Sequence, residues 1–208
     1  MSATPPSDCE QVLLEGVLVT TDEAGRPNIS PIGPFVRLDE CGRPAWDQLV
    51  LRPFEGSRTY ANLRRSGQGV FHVVDDVLVV ARGAIGQADD TPTTRTNGGL
   101  LRLTDCCRYA SFEISEWSGT SPRWTAAARV TETAAVREFA GLHRARHAVL
   151  EAAILATRTF LLSRDDLDSQ LARLRPLVEK TATARESEAW QLLTAFCQNS
   201  TTADETAT

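Results

Sequence analysis

Lysine is almost missing from this chain. Lys180 is its one lysine, and the rest of the 22 basic residues are arginines. They are not gathered into a run, and the net charge is −5. A nucleic-acid-binding face needs a basic patch, so the charge pattern argues against that class. Long hydrophobic runs are missing too. The longest, residues 148–162, contains Glu151 and Arg158 and is too short for a bilayer span. The cysteines Cys9, Cys41, Cys106, Cys107 and Cys197 make no CxxC pair and are odd in number. Adjacent Cys106 and Cys107 suit neither an ordinary disulfide nor the usual zinc spacing. The opening MSATPPSDCEQ is polar, with no apolar core of a leader peptide. These absences point to a reducing, cytoplasmic setting. No GxSxG, GxGxxG or GxxxxGKS/T motif occurs, which leaves a nucleophile elbow, a dinucleotide fingerprint and a P-loop without support.

What is present reads as short strands followed by helices. At 208 residues the chain is long enough for one sizeable core with a helical annex. Residues 1–10 read as a loose tail and residues 11–133 as the strand-rich domain. Val12–Thr20 is β-branched and apolar. DEAGRP then makes a turn, Asn28–Leu38 a second strand, DECGRP a turn of the same design, and Asp47–Leu51 a third strand. Tyr60, Leu63 and Arg64 have helical spacing, with Gly67 as a stop. Val70–Val74 and Val77–Ile85 read as two strands joined across Asp75-Asp76. Residues 86–104 read as a long polar loop that is either a lid or an insertion. Tyr109–Glu116 and Trp124–Thr133 complete the strands. Residues 134–198 read as helices, with a cap at Ser163 and Asp166, a kink or break at Pro176, and a last helix over Glu186–Cys197. Residues 199–208 read as a tail. The order predicts an antiparallel barrel or sandwich partly covered by helices.

Four constellations could carry chemistry. NISPIG, Asn28–Gly33, has two readings: an edge strand with a bulge, or a strand whose backbone lies along a flat ligand. In the second, Pro31 and Gly33 keep bulk away while the Ile32 and Gly33 amides donate. Ser57, Arg58 and Thr59 follow Gly56 at a helix N-terminus, and Asn62 lies one turn on. Free N–H groups, hydroxyls and a guanidinium make a phosphate site there. The competing reading makes Ser57 an ordinary N-cap and Arg58 a solvated arginine. His143 and His147 have metal-sharing spacing, but Arg144 and Arg146 between them make a dication costly. Cys106 and Cys107 lack an activating base and read as a buried structural pair.

Taken together, EGVLVTTDEAGRPNISPIG, LRPFEGSRTYANLRRSGQGVFHVVDD and RARHAVLEAAILATR resemble an uncharacterised conserved family of the FMN-binding split-barrel superfamily, which includes flavin-reductase-like proteins. The resemblance runs from about Leu14 to Glu188. It implies a mainly β fold: a six-stranded antiparallel Greek-key split barrel with a C-terminal helical subregion on the barrel or the dimer seam. It implies a homodimer with FMN at the interface. The strand starting at Asn28 would run beside the isoalloxazine ring, with Ser30, Pro31, Ile32 and Gly33 in contact. Arg52, Ser57, Arg58, Thr59 and Asn62 would hold the ribityl phosphate. The implied activity is a flavin-dependent oxidoreductase working through flavin N5. The alternatives are a non-catalytic flavin carrier or sensor, or a deazaflavin protein, in one-carbon cofactor metabolism. No residues specify a nicotinamide pocket.

Overall fold

A computed structural model describes residues 10–202. The tail expected over residues 1–10 lies almost wholly outside the described residues, as do residues 203–208 of the tail expected at the other end. The described start of that second tail is structured: Asn199 belongs to a helix and Thr202 is buried.

The chain divides into two compact units. One runs through Val73 and includes Pro92–Arg137; the other holds Val74–Thr91 and the chain from Glu138 onward. The first is an antiparallel split barrel. Its strands are β1 (Gln11–Leu13), β2 (Gly16–Thr21), β3 (Pro27–Ile32), β4 (Phe35–Leu38), β5 (Pro44–Leu51), β6 (Gln68–Val73), β7 (Thr93–Arg95), β8 (Leu101–Leu103), β9 (Arg108–Thr120) and β10 (Arg123–Ala135). Eight of them form one sheet in the order β1-β4-β5-β10-β9-β6-β2-β3, and β7 pairs with β8 alone. Eight strands replace the six expected.

Part of the surplus comes from the segment expected as one strand over Asn28–Leu38. It is two strands, β3 at one end of the sheet and β4 next to the strand at the other end. Gly33 and Pro34 separate them, and Pro34 cannot continue a ladder. Ile32 and Phe35 are three peptide steps apart, so their Cα atoms lie within about 11 Å of each other. An end strand tied this closely to a strand near the other end forces the sheet to curl. Leu18, Val36, Leu49, Leu51, Leu63, Phe71, Phe112, Ala126 and Ala128 fill the resulting interior.

One helix belongs to this unit: α1 (Arg58–Ser66), whose Leu63 enters the core. The stretch expected as a long loop is largely the β7–β8 hairpin. It is pinned at both ends. At its tip the Glu132 carboxylate accepts from the N–H groups of Asn97 (3.3 Å) and Gly98 (3.2 Å) and from the Tyr109 hydroxyl (2.5 Å). At its base Leu103 N–H donates to Nε2 of His72 at 3.0 Å.

The second unit is helical: α2 (Val77–Ala84), α3 (Arg144–Ala156), α4 (Arg164–Thr181) and α5 (Ala184–Asn199). The strand expected over Val77–Ile85 is therefore a helix. A short apolar run cannot be told from a buried helix by periodicity alone. Its cap decides: the Asp76 carboxylate accepts from Leu78 N–H at 3.0 Å, and Val77, Leu78, Val80 and Ala81 are all buried. Helix α3 starts only at Arg144, because β10 extends to Ala135. Of the kink or break expected at Pro176, a break is absent: helix α4 runs through it. No helix among the described residues is long and apolar enough to cross a membrane.

Candidate functional site at the β2–β3 edge and helix α1

Strand β3 has one neighbour, β2, so it is an edge strand of the chain's own sheet. Pro27 and Pro31 are four residues apart, and alternation turns both nitrogens to the same side. A strand keeps its ladder when proline nitrogens face the open edge. Of the three backbone positions on that edge, 27, 29 and 31, only Ile29 has an N–H to offer. Such an edge resists pairing with another strand.

Side chains on the concave side of β3 are set by register. Asn28 lies opposite Thr20, and Ser30 opposite Leu18, a core residue. Asn28 and Ser30 therefore face inward, where α1 closes the barrel end. Helix α1 forms there for local reasons. Gly56 takes φ +90°, a conformation strained for other residues, and Ser57 caps the helix by accepting from Tyr60 N–H at 3.1 Å. Gly67 ends it in the left-handed conformation at φ 67°. Thr59, Asn62 and Leu63 are the buried side.

The two elements meet in a network of neutral polar groups. The Asn28 amide nitrogen lies 3.2 Å from Thr59 Oγ1, 3.1 Å from Ser30 Oγ and 3.3 Å from Thr20 Oγ1. The Thr59 hydroxyl donates to Ser30 Oγ at 2.9 Å, and the Asn62 amide donates to Thr20 Oγ1 at 3.0 Å. Three acceptors crowd an amide with two hydrogens, so the bonds interchange. No carboxylate joins these contacts among the described residues. The arrangement collects hydroxyl and amide donors, with a helix N-terminus beside them, in a form that suits an anion.

The structure thus brings Asn28, Ser30, Thr59 and Asn62 together, although 34 positions separate the first from the last. Thr20, not anticipated from the sequence, is buried and links Asn62 to Asn28. In a β-branched run it is indistinguishable from a strand-forming threonine. The other expected residues are placed differently. The Ser57 hydroxyl is engaged as the N-cap. Arg58 is exposed at the first helical position. The Arg52 guanidinium lies 4.5 Å over the Phe35 ring, stacked within its own chain. Ile32 packs against the core. Gly33 lies close to its own neighbours: a Cβ there would come within 2.9 Å of the Leu13 side chain, which would have to shift. Pro31 stays on the edge strand opposite Val17.

Two further groups bear on the site. His72 is fully buried on β6, with Nδ1 3.1 Å from the Val17 carbonyl and Nε2 accepting from Leu103 N–H. This pattern requires a proton on Nδ1 and a neutral ring, and burial pushes the pKa down to about 4. Cys106 is buried and burial pushes its thiol up to about 11, which leaves it unreactive. In the helical unit, His143 occupies the N-cap position of α3 without a side-chain cap bond, and His147 is exposed on the helix.

The fold is similar to that of an FMN-bound protein from Methanosarcina mazei. The two are 21% identical, with a TM-score of 0.77 over 90% of this chain and 96% of that one. Fainter likenesses include the styrene monooxygenase flavin reductase of Pseudomonas putida (16% identical, TM-score 0.44, 60% of this chain and 82% of that one). An FMN-binding protein of Thermus thermophilus is 12% identical, with a TM-score of 0.47 over 65% of this chain and 78% of that one. The family described as protein of unknown function, DUF447, has an N-terminal domain model that matches residues 14–137 and a second model that matches residues 143–195. The M. mazei protein carries the same family assignment. On matches that cover most of its length, this chain belongs to the DUF447 family.

Proposed function

We propose that the protein binds FMN beside β3, with the phosphate at the start of α1, and that it is a flavin-dependent oxidoreductase. One observation carries the reading: Asn28, Ser30, Thr59 and Asn62 converge as neutral donors at a helix N-terminus, in the fold of a family member that holds FMN. The flavin supplies two-electron chemistry at N5. The chain supplies the rest. Rotating hydroxyls of Ser30 and Thr59 and the Asn28 and Asn62 amides turn toward the phosphate. Exposed Arg58 adds charge that no ion pair of its own offsets among the described residues. The edge of β3, blunted against strand pairing, lies along the ring. In this reading a second copy of the chain covers the other side, giving a homodimer with flavin at the seam.

The test is an absorption spectrum of protein loaded with FMN and freed of excess flavin. Retained flavin bands at equimolar stoichiometry support the reading, and loss of all flavin overturns it. Arg58→Ala should weaken FMN by roughly tenfold or more, the worth of a charge-assisted hydrogen bond. Oxidation of NADH or NADPH in the presence of an electron acceptor separates an enzyme from a flavin carrier. Retention of a deazaflavin in place of FMN would move the cofactor assignment and keep the site.

A further inference from the structure

Helix α1 has two flanks beside its buried side. At 3.6 residues per turn, Thr59, Asn62 and Leu63 share one side; Arg58 and Arg65 border it on one hand, Tyr60 and Arg64 on the other. The Arg65 flank is tied down by a hydrogen bond to the Thr21 carbonyl. The opposite flank is held by aromatic rings. Arg64 Nε donates to the Tyr60 hydroxyl at 3.1 Å. Its Cζ lies 4.5 Å from the Trp117 ring centroid, 4.8 Å from that of Trp124 and 5.5 Å from that of Tyr60. The rings also meet one another: Tyr60 edge-on to Trp117 at 5.7 Å and stacked near Trp124 at 6.5 Å. Trp117 lies opposite the core residue Ala126, two residues from Trp124, so both indoles come off the same face of the β9–β10 hairpin. The chain has two tyrosines and four tryptophans, and half of them are gathered around this one guanidinium.

This concentration has a mechanical consequence. Leu63, the Thr59 and Asn62 hydrogen bonds and the Arg65 tie hold the buried side and one flank of α1, and the Arg64 clasp holds the opposite flank against a roll. With side chains reaching about 5 Å from the helix axis, a roll of about 20° moves Thr59 Oγ1 by about 1.7 Å. A binding group is useful only within about 0.5 Å of its productive position. We propose that Arg64, clasped by Tyr60, Trp117 and Trp124, is a positioning residue that sets the roll of α1 and so the affinity for the phosphate end of the ligand. The inference rests on the FMN reading. The Arg64 side chain makes no contact with Asn28, Ser30, Thr59 or Asn62, so it acts on them through the helix.

The test uses the full chain and two ligands, FMN and riboflavin, which differ by the phosphate. In Arg64→Ala, FMN affinity falls about tenfold, the worth of two to three cation–π contacts, while riboflavin affinity changes less than about twofold. Trp124→Ala behaves alike, and Arg64→Lys recovers part of the loss because it keeps the charge without the planar stack. Unchanged FMN affinity in Arg64→Ala overturns the proposal, and so does an equal loss for both ligands. A wild-type protein that retains neither flavin defeats the FMN reading instead. The clasp is then judged by amide hydrogen exchange over residues 60–66. Exchange quickens there in Arg64→Ala if the clasp holds the helix, and is unchanged if it does not.

Discussion

The barrel unit and the helical unit each bury a polar network, and the two are built from opposite chemistry. In the helical unit the network is ionic. Arg146 on α3 donates from Nε to Glu186 on α5 at 3.0 Å and lies 3.8 Å from Asp75, which also accepts from Ala140 N–H at 2.9 Å. Glu186 closes a capping box with Thr183 as well. Both carboxylates are nearly inaccessible, Glu186 at 3% exposure and Asp75 at 6%. In the barrel unit the network is neutral: three hydroxyls and two amides, with no charge to cancel. A buried charge is tolerable only with its own partner in place, so the ionic network is bound to the task of holding the fold. Hydroxyl hydrogens rotate at little cost, so the neutral network can exchange internal bonds for bonds to a ligand. The first arrangement is a structural lock and the second a reserve of donors.

The contrast is most open to test at Arg146. Replacement by Met should cost roughly 3–5 kcal/mol, because two carboxylates stay buried without their cation. Urea unfolding measures this, and a loss below about 1 kcal/mol would mean the carboxylates find other partners. Acid should then separate the units in sequence. The His72 pKa is depressed from 6.5 to about 4, so the unfolded state binds its proton first, and stability is lost as pH falls from 6.5 toward 4. Glu186 is held down at about 2 from 4.5, so its contribution disappears only as pH falls from 4.5 toward 2. Each is worth on the order of 3 kcal/mol. Unfolding followed by tryptophan fluorescence from pH 7 to 2 should show the earlier phase vanish in a His72→Gln variant.

Smaller effects refine the contrast. Thr59→Val keeps shape and removes one hydroxyl of the neutral network. Its cost to the ligand-free protein should be about 1–2 kcal/mol, below that of Arg146→Met, with FMN affinity falling about tenfold. Equal costs for the two variants would show that the neutral network holds the fold as firmly as the ionic one does. The least effect belongs to Ser57→Ala, about 1 kcal/mol for a lost N-cap. That deficit should shrink when FMN is bound, since a phosphate would satisfy the same N–H groups. A deficit indifferent to FMN would place the phosphate elsewhere.

Much of the barrel is legible in the sequence because its signals are local. Asp22 and Asp39 each accept two backbone N–H groups at 2.9 Å within DEAGRP and DECGRP, which is why six residues suffice to identify each turn. Both carboxyls are held below the usual range by these bonds. Helix α1 is equally plain, with Ser57 to start it and Gly67 to end it. Helix α2 reads as a strand because its apolar residues are buried on most sides, which erases the period that separates helix from strand. The β7–β8 hairpin is hidden because its strands are three residues long and its anchors, Glu132 and His72, are distant in sequence.

Local chemistry along the chain sets the turns, the caps, the strand-rich first part, the helical second part and the residue types of the proposed phosphate site, since each depends on neighbours a few positions away. Packing settles which strands become edges, that Gly33 and Pro34 carry the chain from the end strand β3 to β4 near the other end of the sheet, and that Thr20 joins Asn28, Ser30, Thr59 and Asn62. It also settles that Arg64 finds two tryptophans more than fifty positions away. The reason is the same in each case. Strand register and helix roll are set by contacts across the core, and the energy of those contacts depends on which distant side chains the closed sheet brings together.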